Sequence, residues 1–505
     1  MKEKSVEPLR PLTLLFYITC ISLVIMVLSP VEIPLSESFT MNIFTLDDLS
    51  PLPDTTKKEL DFIAAIQTKV ENAEVLTNDT LDFGKKDSLN YVKAEDDSII
   101  LQKERYEPVV DARQAIEFSP QNPDALNSFF ASLQSLSTSA NLIRIVHYGD
   151  SQIEGDRISS YLRERFQHRF GGCGVGLVPI YVRGNVRATL FTSFSPNWTK
   201  YAYIDERKSP RHNKLGLLTE YDRFTNPTIS DDSLHSEMKH AWVRFTDPKL
   251  GHKKASTIEN VKLIYRSPSA PLGFQLNLNG DEVIDKLDLP QNDNLAIHKV
   301  SLKTNFNKIQ IHLGSKGNPE ILGVAFDCNN GVALDNVSIR GSSGFEIPRM
   351  NRDFMKQQVE QLQVKLFIVQ FGVNISGEGS FSLSYYEKMF YRQYNYLKSL
   401  HPNACVLVVS VSDRARRKGT RYESYPSVEI IRQAQKNAAM KAGCAFWDLR
   451  DAMGGQNSMS SWVNNKPSLA QSDYTHFNAN GAKLVGEMLY NALNNAYEDY
   501  KNKVQ

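Results

Sequence analysis

Residues 142–151 read LIRIVHYGDS, a run of β-branched and apolar residues that ends in a polar turn. The first half of this stretch has the composition of a buried strand. Gly149, Asp150 and Ser151 form the turn, and apolar residues then recur at helical spacing at positions 158, 162 and 166. A strand, a turn and a helix in this order open an α/β unit, so we expect Ser151 at the carboxyl end of a strand.

The same pattern returns in the C-terminal part of the chain. Residues 366–371 (LFIVQF) and 404–410 (ACVLVVS) are predicted buried strands, and residues 428–442 are a predicted helix. Alternating strands and helices favour a parallel sheet with helices on its faces. We therefore expect an α/β core in two parts, residues 116–189 and residues 336–505.

The segment between the two parts of the core has a different pattern. Short alternating runs, such as GFQLNLN at residues 273–279 and KIQIHL at residues 308–313, are separated by Gly, Asn and Pro turns. This spacing is typical of an all-β structure. We predict that residues 190–335 form an inserted β-sandwich whose strands do not join the parallel sheet.

The N-terminus has the pattern of a membrane anchor. Lys2, Lys4 and Arg10 precede an apolar run at residues 12–28. This run is near the lower limit of the roughly 17–25 residues that span a bilayer. No small-residue cleavage signal follows, which favours an uncleaved signal anchor within residues 1–30 over a removed signal peptide. The positive flank should stay in the cytoplasm while the rest of the chain is exported.

Residues 31–115 link this predicted anchor to the core. They contain Pro residues and charged pairs, with no sustained periodicity apart from one candidate helix at residues 58–70. We expect a tether that is partly disordered. A small cap packed on the core stays the alternative, because long structureless loops are uncommon inside compact domains.

Composition limits the classes of partner. Lys and Arg total 58 against 57 for Asp and Glu, so no global field attracts the chain to nucleic acid. The five cysteines are scattered singly, with no CxxC pair and no metal-type spacing against histidines. We expect no metal, no cofactor, no nucleic-acid partner and no disulfide framework. Whether any two cysteines outside the apolar run approach each other stays open.

Residues far from Ser151 in the sequence could supply the chemistry that a serine nucleophile needs. Asp473 and His476 lie on one short segment before the C-terminal helix, and their spacing lets both face the serine. Gly341 and Asn374 follow predicted strands, and a glycine N–H and an Asn amide are suitable donors to an oxyanion. Each feature alone could be an ordinary turn or helix cap. Their combination favours a serine nucleophile with its base.

In this order the residues resemble the SGNH or GDSL hydrolases, whose name-giving residues correspond to Ser151, Gly341, Asn374 and His476. The likeness is closest to the peptidoglycan O-acetylesterase branch of Gram-negative envelopes. The matching segments are HYGDS at 147–151, FGGCGVG at 170–176, SDR at 412–414, IRQAQ at 431–435, AFWDL at 445–449, AMGG at 452–455 and DYTHF at 473–477. Members of that branch carry a carbohydrate-module-like β-domain where the all-β pattern falls here.

This resemblance implies a flavodoxin-like three-layer core and an acyl-enzyme mechanism. Ser151 would attack an ester carbonyl, His476 would take its proton, and Asp473 would hold the imidazole. The N–H groups of Ser151 and Gly341 and the amide of Asn374 would form the oxyanion hole. The implied function is removal of O-acetyl groups from cell-envelope polysaccharide, with peptidoglycan as the expected substrate. The predicted anchor would lie in the inner membrane and the catalytic domain in the periplasm; secretion to the periplasm after signal cleavage is the alternative.

Two other functions stay open. An O-acetyltransferase would use the same triad to pass an acyl group from a membrane acyltransferase to a sugar hydroxyl, and the predicted anchor supports this alternative. A catalytically vestigial carbohydrate-binding protein would keep the fold, but the presence of every catalytic residue argues against it. Gln152 and Ile375 depart from the residues that many relatives carry beside the serine and the asparagine. The substrate is therefore less well defined by the resemblance than the reaction type.

Overall fold

The computed structural model describes residues 32–36, 39–42, 115–182, 187–204, 209–225, 237–247, 251–280 and 282–504. The chain divides into two units, Met1–Thr80 and Leu81–Gln505. In the first unit, strands β1 (Glu32–Ser36) and β2 (Phe39–Asn42) pair as an antiparallel hairpin. The predicted membrane segment at residues 12–28 and the predicted helix at residues 58–70 lie outside the described residues. Within the described ranges, no helix is both long enough and apolar enough to span a membrane.

The second unit alternates short strands and helices at its two ends and consists mainly of strands in its middle. Its helices are α1 (Asn127–Ser135), α2 (Ser159–Phe170), α3 (Arg352–Gln361), α4 (Leu383–Lys398), α5 (Pro426–Ala442), α6 (Leu449–Ala452), α7 (Ser458–Asn464) and α8 (Ala479–Val504). Its strands are β3 (Ile116–Glu117), β4 (Leu142–Gly149), β5 (Gly176–Val178), β6 (Phe191–Phe194), β7 (Thr199–Ala202), β8 (Glu220–Arg223), β9 (Lys239–Thr246), β10 (Thr257–Ser267), β11 (Leu272–Leu278), β12 (Glu282–Leu289), β13 (Asn292–Asn305), β14 (Lys308–Ser315), β15 (Glu320–Asp327), β16 (Gly331–Ser338), β17 (Val364–Gln370), β18 (Cys405–Val409), β19 (Ala415–Lys418), β20 (Arg421–Ser424) and β21 (Ala445–Trp447).

The central sheet has six strands in the order β16-β4-β17-β18-β21-β3. All neighbours are parallel except the short edge strand β3, which pairs antiparallel with β21. Counted along the chain, the parallel strands follow the flavodoxin-like order 2-1-3-4-5. The α/β core with a parallel sheet that the sequence predicts is therefore confirmed.

Alternate residues of the central strands supply two separate apolar cores. On one face of β4, Ile145 belongs to a cluster with apolar residues of α1, α2 and α8. On the other face, Val146 and Tyr148 belong to a cluster with residues of α3, α4 and α5. Because helices cover both faces, the strand is buried almost throughout, and most of its residues are apolar. The fold thus has three layers.

The strands between β5 and β15 form two antiparallel sheets. One has the order β13-β10-β15-β8-β7, with β5 also paired to β15, and the other has the order β12-β11-β14-β9-β6. Rings from the two sheets meet between them, as Phe245 contacts Phe326 edge-on at a centroid distance of 5.0 Å. In the described part of residues 191–327, no strand joins the parallel sheet. These strands agree with the predicted β-sandwich.

The boundaries of this β-structure differ from the predicted ones at both ends. Strand β5 lies before residue 190, and β16, most of which was included in the predicted insert, belongs to the parallel sheet. Leu177 and Tyr221 of the antiparallel sheet share an apolar cluster with Tyr148 of the core. The antiparallel sheets are thus packed on the core, and their status as an inserted domain stays a prediction.

A disulfide joins Cys173, in the glycine-rich turn after α2, to Cys328 at the end of β15. The expectation of no disulfide framework is wrong for this pair. The two residues are 155 positions apart in sequence, yet their Cα atoms are 5.2 Å apart, because the turn packs directly against β15. A Cβ on Gly174 would lie 2.0 Å from the carbonyl oxygen of Phe326, so only glycine permits this approach. Spacing along the chain carries no information about such a contact.

Buried ion pairs fix β4 to its neighbours. Arg144 in β4 contacts Asp335 of β16 at 2.5 Å and Asp327 of β15 at 2.6 Å, and none of the three side chains is exposed. Burial alone would lower the pKa of Arg144, but the two carboxylates outweigh it and raise the pKa above its ordinary value. The strand that leads to Ser151 is therefore held by charge-assisted bonds to the central sheet and to the antiparallel sheet.

Candidate active site

Ser151 lies just beyond the carboxyl end of β4. Gly149, the last residue of that strand, is level with Ser338 of β16 and Gln370 of β17. Ser151 begins the 3₁₀ helix Ser151–Asp156 and is only 8% exposed. In a sheet of order 2-1-3-4-5, the gap between the first and third strands is the point where the strand order reverses and ligands bind. Ser151 occupies that point, between β4 and β17.

His476 connects Ser151 to Asp473. The Ser151 Oγ lies 2.8 Å from His476 Nε2, and His476 Nδ1 lies 2.6 Å from Asp473 Oδ2. The other carboxylate oxygen, Asp473 Oδ1, accepts the backbone N–H groups of Thr475 and His476 at 2.9 and 3.0 Å. The Asp473 carboxylate therefore holds both the backbone turn at residues 473–476 and the imidazole ring of His476. The structure brings all three predicted residues into hydrogen-bonding order.

The charge state of Asp473 sets the tautomer of the histidine. Partial burial acts to raise the pKa of Asp473, but hydrogen bonds from the His476 ring and from two backbone N–H groups outweigh it and lower the pKa below its ordinary value. An ionised carboxylate can only accept hydrogen bonds, so Nδ1 of His476 carries the proton. Nε2 then presents its lone pair to the Ser151 hydroxyl, as a general base requires.

Two of the three predicted oxyanion donors, Gly341 and Asn374, lie on the loops that follow β16 and β17. Asn374 is in the 3₁₀ turn Val373–Ile375 after β17, and its Nδ2 donates to the carbonyl oxygen of Ser342 at 2.8 Å. Gly341, next to Ser342, has φ +81°, and a Cβ there would meet no atom within 4 Å. Its backbone therefore borders open space. An amide has two protons, so Asn374 can hold Ser342 and still donate to a second acceptor.

Gln152 has a positioning role that the sequence did not reveal. Its buried Nε2 donates to the carbonyl oxygen of Thr475 at 2.7 Å and to Ser412 Oγ at 3.0 Å. Its Oε1 accepts the N–H of Phe477 at 3.3 Å. The side chain next to the nucleophile thus holds the residues on both sides of His476. Its position directly after Ser151 was a signal in the sequence. Its contact with Phe477 could not be predicted, because the two residues are 325 positions apart.

Two arginines link the loops that carry the site. Arg157 donates to the carbonyl oxygens of Ser151 at 2.7 Å and Phe477 at 2.9 Å. Arg414 donates to Thr475 Oγ1 and to the carbonyl oxygen of Val373, both at 3.2 Å. The serine turn, the histidine turn and the turn that carries Asn374 are therefore tied together by guanidinium groups, each of which has several donors in a fixed plane.

Asp150 and His147, which precede the serine, have structural partners. Asp150 Oδ1 accepts the N–H of Gln152 at 3.0 Å and caps the 3₁₀ helix. Burial raises the pKa of Asp150 to about 6, against the opposing effect of that hydrogen bond. His147 contacts Ser159 Oγ at 2.9 Å and Gln370 Oε1 at 3.1 Å, and burial lowers the pKa of its ring to about 4. The structure confirms that His147 is hydrogen-bonded, and its lack of a catalytic role stays a prediction.

We expect Gln152→Leu to lower kcat by about 10- to 100-fold with little change in KM, because the reacting groups remain but the His476 turn loses its support. Steady-state kinetics on a small aryl acetate measures this split. The matched control is Gln358→Leu, which removes another buried glutamine that accepts a backbone N–H, that of Leu217 at 3.0 Å. Equal losses of kcat in both variants would show that Gln152 acts only through general stability.

The assembled groups meet the requirements of acyl transfer. The Ser151 hydroxyl faces the imidazole of His476, which Asp473 orients, and Gly341 and Asn374 lie on the loops that follow the two strands flanking β4. Among the described residues, no group of three or more His, Cys, Asp or Glu side chains is arranged to hold a metal ion. The hydrogen-bonded series at this edge runs from Asp473 through His476 to Ser151.

Comparison with known proteins supports the fold. No protein-family model matches this chain, and no curated protein matches it. A solved structure of a peptidoglycan O-acetylesterase is similar, with a TM-score of 0.58 and 19% identity over 74% of this chain and 96% of that chain. At this identity the similarity establishes a shared fold.

Two further solved structures match with TM-scores too low to carry an argument. One is an acetyl xylan esterase, with a TM-score of 0.26 and 17% identity over 32% of this chain and 81% of that chain. The other is a family two carbohydrate esterase from Clostridium thermocellum, with a TM-score of 0.23 and 10% identity over 52% of this chain and 94% of that chain.

Proposed function

We propose that this chain is a serine esterase of the SGNH class that removes O-acetyl groups from a cell-envelope polysaccharide, with peptidoglycan as the expected substrate. The observation that carries the proposal is the hydrogen-bonded series from Asp473 through His476 to Ser151, at 2.6 and 2.8 Å. The fold shared with a peptidoglycan O-acetylesterase supports the choice of reaction and substrate.

The proposed reaction has two halves. In the first, Ser151 Oγ attacks the acetyl carbonyl, His476 Nε2 takes the hydroxyl proton, and the sugar oxygen leaves with that proton as the C–O bond breaks. In the second, His476 takes a proton from the water that attacks the acetyl carbonyl, the bond from that carbon to Ser151 Oγ breaks as acetate leaves, and His476 returns the proton to Ser151 Oγ. Asp473 stabilises the imidazolium in both halves and stays ionised.

The proposed oxyanion hole consists of the N–H groups of Ser151 and Gly341 and the side-chain amide of Asn374. The open space beside Gly341 and the hydrogen bond from Asn374 to Ser342 support this assignment, because the bond joins the loops that follow β16 and β17, the two strands that flank β4. Donors fixed before the reaction stabilise the developing charge without reorganisation, and each contributes on the order of 10²–10³ in rate.

A second candidate is an O-acetyltransferase that uses the same triad with a membrane acyltransferase as its acyl donor. The apolar run at residues 12–28 favours it, since an anchor would hold the enzyme beside such a partner. Acetate release from O-acetylated peptidoglycan, measured with and without an added sugar acceptor, tests the two. An esterase releases acetate at the same rate in both reactions. Acetylation of the acceptor at the expense of free acetate would favour the transferase.

We also propose that the chain is anchored in the inner membrane with its catalytic part in the periplasm. The Cys173–Cys328 disulfide supports export, because disulfides persist in oxidising compartments and are rare in the cytosol. Cell fractionation tests the proposal, which predicts that the full-length chain is recovered with the inner membrane. Recovery of all the protein as a soluble periplasmic species with a processed N-terminus would overturn the anchor and leave the compartment unchanged.

A further inference from the structure

A short hairpin is attached directly to the turn that carries the base. Strands β19 and β20 form this hairpin, which spans residues 415–424. The N–H of Ala415 donates to the carbonyl oxygen of Tyr474 at 3.0 Å. Tyr474 lies between Asp473 and His476 in sequence. The hairpin is therefore bonded to the segment that carries two residues of the triad, and a ligand bound to the hairpin would lie beside that segment.

An exposed aromatic surface joins the hairpin to this turn. The rings of Tyr422 and Tyr474 stack with centroids 3.5 Å apart and an interplanar angle of 4°. Tyr422 is 38% exposed even though Tyr474 covers one face of its ring. A flat aromatic surface with a hydroxyl at its edge combines apolar contact with hydrogen bonding, which suits the C–H face and the hydroxyl rim of a pyranose ring.

One face of the hairpin adds a positive charge to this surface. Arg417 is directly opposite Tyr422 in the antiparallel register, so the two side chains project from the same face. Arg417 is exposed and donates through Nε to the carbonyl oxygen of Gly419 at 3.2 Å. In the described part of the chain, no carboxylate lies within ion-pair distance of it, whereas Arg416 and Lys418 on the other face both pair with Glu423.

We propose that Arg417, Tyr422 and Tyr474 form a docking surface for a glycan that carries carboxylate groups. The ring pair packs against a sugar, and the Arg417 guanidinium pairs with a carboxylate on the same or the next residue of the polymer. This inference rests on the proposed esterase function and defines the charge class of its substrate. It predicts preference for an anionic over a neutral acetylated glycan.

The stacked rings also have a structural role, and the test must distinguish this role from glycan docking. Tyr474 has φ +53°, in the left-handed region that non-glycine residues rarely adopt, and its contact with Tyr422 helps to hold that turn. Substitution of either tyrosine would therefore disturb the triad as well as the surface. The hydrogen bond that the structure gives Arg417 stays within the hairpin, at the carbonyl oxygen of Gly419, so its substitution reports on docking.

The test compares Arg417→Gln with Arg421→Gln in the full-length Ser151→Ala protein, purified in mild detergent. Arg421 is exposed, loses the same charge and projects from the opposite face of the hairpin, opposite Lys418. The probe is unacetylated polygalacturonate, and calorimetry measures its Kd. We expect Arg417→Gln to raise the Kd about tenfold and Arg421→Gln to leave it within about twofold. Added salt should reduce the difference between the two variants.

Neutral dextran of similar length separates charge recognition from general glycan binding. The proposal is overturned if the two arginine variants bind polygalacturonate equally well, or if dextran binds as tightly as polygalacturonate. Because these measurements need no turnover, they are independent of the esterase proposal. Binding that depends on Arg417 in a protein whose wild type cleaves no ester would support the docking surface and reject the esterase. If the wild-type protein cleaves esters but its binding of polygalacturonate does not depend on Arg417, the esterase is supported and the docking surface is rejected.

Discussion

Ser151→Ala is expected to lower kcat for ester cleavage on the order of 10⁶-fold, because the serine is the only covalent acceptor in the proposed mechanism and the triad acts as a unit. The measurement is acetate release from O-acetylated peptidoglycan and from a small aryl acetate, with circular dichroism to confirm folding. The residual rate should reflect only binding and the oxyanion donors.

A matched control for this variant is Ser159→Ala. Ser159 is also buried and also bonds a histidine, since its Oγ lies 2.9 Å from His147 Nδ1, but it lies outside the proposed catalytic groups. This variant should turn over near the wild-type rate. Turnover near wild type in Ser151→Ala on both substrates would show that another group is the nucleophile.

Asp473→Asn has the second-largest expected effect, a loss of kcat on the order of 10⁴-fold. An Asn oxygen can still accept the N–H groups of Thr475 and His476, so the turn should keep its shape. What is lost is the negative charge that stabilises the imidazolium and the acceptor that fixes the proton on Nδ1. Kinetics on the aryl acetate measures the loss.

The control for the charge change is Asp353→Asn, which removes an exposed carboxylate in the first turn of α3. It should leave kcat unchanged within error. If Asp473→Asn also retains kcat, then the short contact between Asp473 and His476 does not contribute to the reaction, and the base would have to be oriented by other partners, such as Gln152 through the backbone.

The sequence was most informative where local pattern decides structure. Strands β4, β17 and β18 are short, mainly apolar runs that are buried on both faces. Their composition alone predicts that they are buried. The resemblance implied a flavodoxin-like three-layer core, and the strand order 2-1-3-4-5 that the structure shows is the flavodoxin-like one. The boundaries of the β-structure were less predictable, because β5 and β16 belong to different sheets for reasons of tertiary pairing that their own residues do not encode.

Some residues of the candidate site could likewise be predicted from local sequence, and others could not. Ser151, Asp473 and His476 stand in compact motifs, so their types and spacing could be read along the chain, and the structure brings them together. Gln152 and Arg414 could not be assigned in advance, since each acts on carbonyl or N–H groups of distant loops and backbone acceptors leave no mark in the sequence. The Cys173–Cys328 pair escaped prediction because spacing along the chain does not report which cysteines a tertiary contact brings together.

The proposed mechanism requires that Ser151 is acetylated during turnover, and peptide mass spectrometry after rapid acid quenching detects this acetyl group. With an aryl acetate in excess, we predict an acetyl group on the peptide that contains Ser151. It should disappear once the substrate is exhausted and never form in Ser151→Ala. Acetate release without acetylation of Ser151, or acetylation at another residue that accounts for turnover, would contradict the account.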